Sequence, residues 1–151
     1  MKYHFSKTYN LILIFVALYI SLIVGFFLNE NLNLGAKPDW YFSDIPVIEA
    51  FSIDFKKTFF NYDFYGHRHS PVYLIFLSFL KSIGFDFDQI RFIHLNVSIL
   101  LIYFFYKCLL LKFENIEKNI LLIFSLSIFL SPTFRSLAIW PDTRIIGLIF
   151  F

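Results

Sequence analysis

The sequence contains few charged residues and only one cysteine, and each of these shortages excludes a class of protein. Charged residues make up 16% of the 151 residues, whereas ordinary soluble domains carry roughly 25%. The single cysteine, Cys108, excludes a disulfide framework within the chain and a cysteine-based metal cluster. The net charge is only +2 and no basic run occurs, so the sequence does not predict a nucleic-acid partner.

Long apolar runs take the place of the missing charge. Hydrophobic residues make up 58% of the sequence, and they cluster in runs close to the roughly 20 residues that cross a bilayer. The first run, residues 11–28, holds no charge and is followed by no small-residue cleavage site, so it predicts a retained anchor rather than a signal peptide. Lys2 and Lys7 precede it and favour a cytoplasmic N-terminus.

Further apolar runs follow at residues 71–85, 90–111, 116–130 and from 145 onwards, and residues 131–144 are predicted to be a short polar connection between the last two. The apolar runs predict an all-α fold, a polytopic transmembrane helical bundle that forms one domain over residues 1–151. Because the last run is too short to cross a bilayer, we expect the chain to be the N-terminal part of a longer domain. We expect a multi-pass protein of the bacterial inner membrane, with the lipid bilayer as its first partner.

The direction of the second run stays open. If every run crosses the membrane, Lys107, Lys112 and Lys118 fall on the outer side, against the tendency of basic residues to remain inside. Either residues 71–85 enter and leave on the same side, or this chain is an exception to the rule.

Residues 29–70 differ from the rest because they are polar and carry most of the acidic side chains. With a cytoplasmic N-terminus they form an extracytoplasmic loop, and loops of this length usually have structure or function of their own. Apolar residues at helical spacing predict an amphipathic helix on the membrane surface, capped by Ser43 or Asp44. Its apolar face comprises Ile45, Ile48, Phe51, Phe55 and Phe59.

Three acidic residues of this loop, Asp39, Asp44 and Glu49, form the first candidate group for chemistry, and Asp39 and Asp44 are the two to which we assign a catalytic role. An acidic group at a membrane surface can act as a general base or help to hold a divalent metal. The alternative for each is structural: Asp44 would only cap the surface helix and Asp39 would only be solvated. Asp142 and Arg144, which flank the start of the last apolar run, would pair with each other or anchor the chain at the interface.

The densest cationic cluster, His67, Arg68 and His69, lies where the loop returns to the membrane. An arginine there can hold a phosphate through paired hydrogen bonds, and the histidines add donors. The alternative is unspecific contact with anionic lipid headgroups. Two polar side chains inside the third run, His94 and Asn96, are expected to form hydrogen bonds between helices.

Five short segments stand out in the order in which they occur: 38–45 (PDWYFSDI), 65–74 (YGHRHSPVYL), 90–95 (IRFIHL), 131–134 (SPTF) and 141–142 (PD). Together with the order of the apolar runs, they resemble the GT-C superfamily of polytopic membrane glycosyltransferases, which use lipid-phosphate sugar donors, and in particular its mannosyltransferase branch. Such enzymes have a first span, a long outer loop with an acidic residue and surface helices, and a short proline-containing motif before the next span.

The resemblance implies that a sugar is transferred from a polyprenyl-phosphate donor to an acceptor at the outer membrane face. Asp44, which the resemblance favours over Asp39, would deprotonate the acceptor hydroxyl or help to hold a divalent metal. Arg68, His69 and His67 would bind the donor phosphate. Two alternatives stay open: a non-enzymatic polytopic membrane protein such as a transporter, and an inactive fragment.

Overall fold

The computed structural model describes the backbone of residues 2–67 and 70–150, and the side chains of residues 9–67 and 70–150. Every secondary-structure element within those ranges is helical, which confirms the all-α prediction. The α-helices are α1 (Lys2–Phe27), α2 (Ala36–Asp39), α3 (Ile45–Ile53), α4 (Phe55–Phe60), α5 (Val72–Ser82), α6 (Phe87–Lys112), α7 (Lys118–Leu126), α8 (Pro132–Ile139) and α9 (Thr143–Phe150). A π-helix (Trp40–Asp44) joins α2 to α3, and 3-10 helices cover Tyr62–Tyr65 and Ser127–Leu130.

In the described part of the chain, two helices are long and apolar enough to cross a membrane: Tyr9–Phe27 of α1, and α6. At 1.5 Å per residue, the 26 residues of α6 extend about 39 Å, which exceeds the roughly 30 Å of a hydrocarbon core. Both helices leave large apolar side chains exposed, among them Ile20, Val24 and Leu100, as expected of surfaces that face lipid. These two helices are consistent with the predicted membrane association.

α1 and α6 run antiparallel to each other. Within α1, the Tyr19 hydroxyl donates a hydrogen bond to Asn96 Oδ1 over 2.8 Å. Just beyond the end of α1, Asn29 Oδ1 accepts one from Arg91 Nη2 over 3.1 Å. Later residues of the first helix thus meet earlier residues of the other. The interhelical hydrogen bond predicted for Asn96 is confirmed.

α7 and the 3-10 helix after it lead to a bend of 66°, beyond which α8 turns aside. If both sides of this bend form one broken span, three segments of the described chain are able to cross a membrane.

The sequence predicted a polar connection over residues 131–144, and this prediction is wrong for the part that forms α8. Ser131 starts that helix by accepting a hydrogen bond from Phe134 N over 3.3 Å, and Pro132 occupies its first turn. The buried residues of α8 are Phe134, Ser136, Leu137, Ala138 and Ile139.

The prediction of a single surface helix around residues 45–59 is wrong in two respects. The chain breaks at Asp54, whose side chain accepts a hydrogen bond from Lys57 N over 2.9 Å and starts the separate helix α4. In addition, α3 packs against α5, so much of its apolar face is covered by protein. The buried residues of α3 are Val47, Ile48 and Phe51.

Neither predicted cap residue starts α3 with a capping bond. Ser43 lies inside the π-helix, which continues directly into α3, and the Asp44 side chain makes no capping hydrogen bond. Instead, the Asp44 carboxylate is hydrogen-bonded to His67, which comes much later in the chain. A long-range contact has therefore replaced the expected local one.

A salt bridge fixes α8 to the end of α1, and we call it the Glu30–Arg135 clamp. Arg135 Nε and Nη2 donate to the two carboxylate oxygens of Glu30 over 2.5 and 2.6 Å. Arg135 Nη1 also donates to Ser21 Oγ over 3.2 Å. The clamp lies close against the backbone of α1, because a Cβ atom added to Gly25 would be 2.5 Å from Glu30 Oε2 and 2.9 Å from Arg135 Nη2.

The buried Arg91 of α6 holds the segment that follows α8. Its guanidinium lies 3.7 Å from the centroid of the Trp140 ring and 4.8 Å from that of Phe26, so it rests between two aromatic side chains. Arg91 Nε also donates to the carbonyl oxygen of Ile139. Because Trp140 stands two residues before Asp142, these contacts fix the chain where it enters the site described next.

Candidate functional site

A polar cavity of about 590 Å³ lies where three separate parts of the chain meet. They are the junction of α2 with α3, the turn that precedes α5, and the start of α9. We call this space the acidic cavity. Its lining residues are Asp39, Ser43, Asp44, Tyr65, Gly66, His67, Asp142, Thr143 and Arg144.

Asp44 and His67 are in direct contact inside the acidic cavity. Asp44 Oδ1 and His67 Nε2 are 2.6 Å apart, and both side chains are largely buried. Asp44 ends the π-helix, whereas His67 follows Gly66, whose φ of +60° is a left-handed conformation that favours glycine. The turn at Gly66 thus precedes the residue whose imidazole contacts the Asp44 carboxylate.

Burial raises the pKa of the Asp44 carboxyl from 3.8 to about 6. The hydrogen bond and the charge of His67 lower this pKa in part, whereas the nearby carboxylates of Asp142 and Asp39 raise it. A carboxyl group with a pKa near 6 is mostly ionised at neutral pH, yet it is basic enough to accept a proton. These are the properties of a general base.

Asp142 and Arg144 form a second charged contact of the acidic cavity. Arg144 Nη2 donates to Asp142 Oδ2 over 2.6 Å, and Arg144 Nε donates to Asp142 Oδ1 over 2.9 Å. Of the two alternatives that the sequence left for these residues, pairing with each other is confirmed. The Arg144 side chain is 50% exposed, so its cation stays accessible to an anionic ligand.

The acidic cavity brings together three of the five predicted site residues, Asp39, Asp44 and His67. Arg68 and His69 lie outside the described residues, so their contacts with phosphate stay predictions. Phosphate binding by His67 also stays a prediction, and the structure adds its contact with Asp44. Among the residues that the structure describes, no three His, Cys, Asp or Glu side chains are arranged to hold a metal ion.

An apolar groove of about 460 Å³ adjoins the acidic cavity, and Thr143 lines both spaces. The groove runs between α5, α6 and α9, and its wall is mainly aliphatic and aromatic. We call it the apolar groove. Its other lining residues are Ser70, Val72, Tyr73, Phe76, Leu77, Ile93, His94, Val97, Ile146, Gly147 and Phe150.

A short hydrogen-bonded chain crosses the wall of the apolar groove. The Tyr73 hydroxyl of α5 lies 2.5 Å from His94 Nδ1 of α6. On the other side of the ring, His94 Nε2 donates to the carbonyl oxygen of Leu137 in α8 over 2.8 Å. His94 therefore links three helices, and the interhelical role predicted for it is confirmed.

Sequence reasoning missed Thr143 and did not place Asp142 and Arg144 beside Asp44. A local signal was present, because an acidic residue directly before an apolar run is typical of a helix start, and Asp142 Oδ1 accepts a hydrogen bond from Arg144 N over 2.7 Å. The proximity to Asp44 depends on tertiary contacts, which a single sequence does not show.

Over the residues that the structure describes, the fold and the cavity together define a class: an all-helical protein with two helices able to span a membrane and a charged cavity beside an apolar groove. No family model, no curated protein and no solved structure matches this chain.

Proposed function

We propose that this protein is a polytopic membrane glycosyltransferase, which transfers a sugar from a polyprenyl-phosphate donor to an acceptor hydroxyl at the outer membrane face. The observation that carries the proposal is the shared wall at Thr143 between the acidic cavity and the apolar groove. A ligand that fills both spaces has to be polar at one end and hydrocarbon at the other. A lipid-linked sugar phosphate has this form.

Asp44 is the proposed general base. Its carboxylate accepts the proton of the acceptor hydroxyl while the acceptor oxygen bonds to the anomeric carbon of the sugar. The bond between that carbon and the phosphate oxygen breaks, and its electron pair leaves with the polyprenyl phosphate. The raised pKa of Asp44, about 6, supports this role because it strengthens the base without protonating it at neutral pH.

The leaving phosphate gains negative charge, so the site needs a cation close to the point where that charge develops. Arg144 supports the proposal because it lines the acidic cavity directly after Thr143, where the cavity meets the groove. Arg68 and His69 follow His67 in the sequence, and we propose that they add further donors to the phosphate.

The proposed orientation in the membrane rests on the antiparallel course of α1 and α6. With Lys2 and Lys7 inside, α1 ends and α6 begins on the outer side, and α6 then ends inside. Lys107, Lys112 and Lys118 join the N-terminal lysines there, in line with the usual distribution of basic residues. This orientation favours one of the two alternatives for the second apolar run: residues 71–85 enter the membrane and leave it on the same side.

The experiment that tests the function measures sugar transfer from synthetic polyprenyl-phosphate sugars by the full chain in proteoliposomes. We expect Asp44→Asn, which keeps the shape of the side chain but removes the base, to lower the transfer rate about 10²–10⁴-fold. The matched control is Glu49→Gln on α3, an exposed carboxylate that does not line the acidic cavity. Its rate should equal that of the wild type.

Two outcomes would contradict the proposal. One is an unchanged rate in Asp44→Asn, which would remove the base. The other is the absence of transfer by the wild type from mannosyl, glucosyl and galactosyl donors alike, while the protein is folded in the same vesicles.

A further inference from the structure

α5 is apolar on two faces, and the described part of the chain covers only one of them. The other face leaves four large apolar side chains between 48% and 71% exposed, spaced so that they form one line along the helix. We call this line the uncovered stripe. The covered face holds Leu74, Leu77 and Leu80, and the uncovered stripe holds Val72, Phe76, Phe79 and Ile83, the last directly after the helix.

α5 lies beside the first turns of α6 and runs antiparallel to them. Tyr73 at its start contacts His94, and Lys81 near its end places Nζ 4.5 Å from the centroid of the Phe87 ring. Its 11 residues extend about 17 Å, little more than half of the hydrocarbon core. α5 therefore accompanies only the first part of a helix that is long enough to cross.

The uncovered stripe continues onto the corner between α3 and α4. Phe79 lines a shallow hollow together with Ile53 and Phe55, which are 85% and 51% exposed. Lys56 and Lys57 follow in α4 and are exposed as well. Exposed apolar side chains interleaved with lysine are typical of protein surfaces at the boundary between hydrocarbon and headgroups.

We propose that the uncovered stripe and the α3–α4 corner form a docking surface for the bilayer leaflet that surrounds the start of α6, and that α5 is immersed in this leaflet without crossing. We choose lipid as the partner of this surface because α5 packs alongside the start of α6. Since α6 is long and apolar enough to span a membrane, the exposed face of its neighbour α5 is expected to contact the same lipid. The two lysines of α4 match the anionic headgroups above that leaflet. Val72 and Phe76 also line the apolar groove, so the groove opens sideways to the leaflet.

The test places tryptophan on the surface and measures how strongly lipid bromine quenches its fluorescence. The full chain is reconstituted in nanodiscs with one copy per disc, from phosphatidylcholine and phosphatidylglycerol brominated along the acyl chains. Phe79→Trp is the reporter, and Ile83→Trp repeats the measurement at a second position. The native Trp40 and Trp140 are fully buried and provide a background that is measured in the wild type.

Two control variants bracket the result. Leu100→Trp marks full contact with lipid, because Leu100 is 45% exposed in the middle of α6. Glu49→Trp marks contact with water on α3. We expect the emission added by Phe79→Trp and Ile83→Trp to be lost to the same extent as that of Leu100→Trp.

Quenching no greater than that of Glu49→Trp at both reporter positions would overturn the inference and would leave a second copy or a water-soluble partner as the occupant. No sugar donor is used, so this result is independent of the proposed enzymatic activity.

Discussion

The Glu30–Arg135 clamp and the acidic cavity each contain an arginine–carboxylate pair, but the two pairs differ in their surroundings. The pair in the clamp is packed against protein, whereas the pair in the acidic cavity borders open space. In the clamp, the guanidinium takes both carboxylate oxygens of Glu30, and the Trp140 indole donates to the Glu30 carbonyl oxygen over 2.8 Å. In the cavity, Asp142 and Arg144 form an equally close pair, yet they border about 590 Å³ of open space together with Asp44.

This difference separates a structural ion pair from a reactive one. A charge pair enclosed by protein mainly fixes geometry, and removal of one partner leaves a buried charge without compensation. A charge pair that borders an open space keeps its field available to a ligand. Substitutions in the clamp should therefore change stability, whereas those in the acidic cavity should change chemistry.

The largest effect on stability is expected from Arg135→Met, which keeps much of the side-chain volume but removes the cation. We expect the free energy of unfolding to fall by about 2–3 kcal/mol, below the roughly 3–5 kcal/mol of a fully buried pair because both side chains keep some exposure. Unfolding by SDS in mixed micelles measures this change.

A second substitution sharpens the same point. Adding Glu30→Gln to Arg135→Met removes the carboxylate that has lost its partner, so the double variant should be less destabilised than the sum of the two single variants. Strict additivity would mean that the two side chains do not act as a clamp.

A smaller loss, about 1–2 kcal/mol, is expected from Gly25→Ala, because the new methyl group would press on the clamp from the α1 backbone. In the Arg135→Met background the same change should become neutral or stabilising, since alanine favours helix by roughly 1 kcal/mol over glycine. Gly147→Ala is the control, because a Cβ atom there meets nothing within 4 Å. A destabilisation by Gly25→Ala that does not depend on Arg135 would contradict the contact.

The smallest change in energy is expected from His67→Gln, and it concerns the pKa of Asp44. His67 lowers that pKa and Asp142 raises it, so His67→Gln should move the titration of Asp44 to higher pH and Asp142→Asn should move it to lower pH. The infrared carbonyl band of the protonated carboxyl, assigned by its loss in Asp44→Asn, measures both shifts. Shifts in the same direction would refute the assigned contacts.

The sign of the accompanying stability change follows from the same pKa. Since the folded value of about 6 lies above 3.8, the folded protein binds the Asp44 proton more tightly than the unfolded chain does. The stability that this proton provides is lost as the pH rises from 3.8 to about 6. Asp44→Asn should therefore not destabilise the fold at neutral pH, although it removes the proposed base.

The two long helices could be predicted from the sequence because their signal is local. Residues 11–28 are an uninterrupted apolar run, and α6 starts at a capping box in which Asp86 and Gln89 exchange hydrogen bonds. α8 was missed because only eight residues form it. Ser131 and Pro132 carried a start signal, but they stood in a stretch whose polarity predicted a loop.

Only those residues of the candidate site that lie in the loop of residues 29–70 could be predicted from the sequence. Asp39, Asp44 and His67 lie in one loop, whose polarity singled them out, and they do line one cavity. The cap predicted for Asp44 failed because the contact with His67 outweighs the local alternative. The contribution of Asp142 and Arg144 depends on α8 and on the Arg91 contacts that place the chain after it, and no local pattern encodes those contacts.

The hydrogen bonds of His94 have a further consequence for the helices that meet there. The carbonyl oxygen of Leu137 can only accept, so His94 Nε2 carries a proton, while Nδ1 on the opposite side of the ring meets the Tyr73 hydroxyl. Because the two nitrogens have different partners, the imidazole cannot turn over without breaking both contacts. One side chain therefore holds α5, α6 and α8 in a single fixed register.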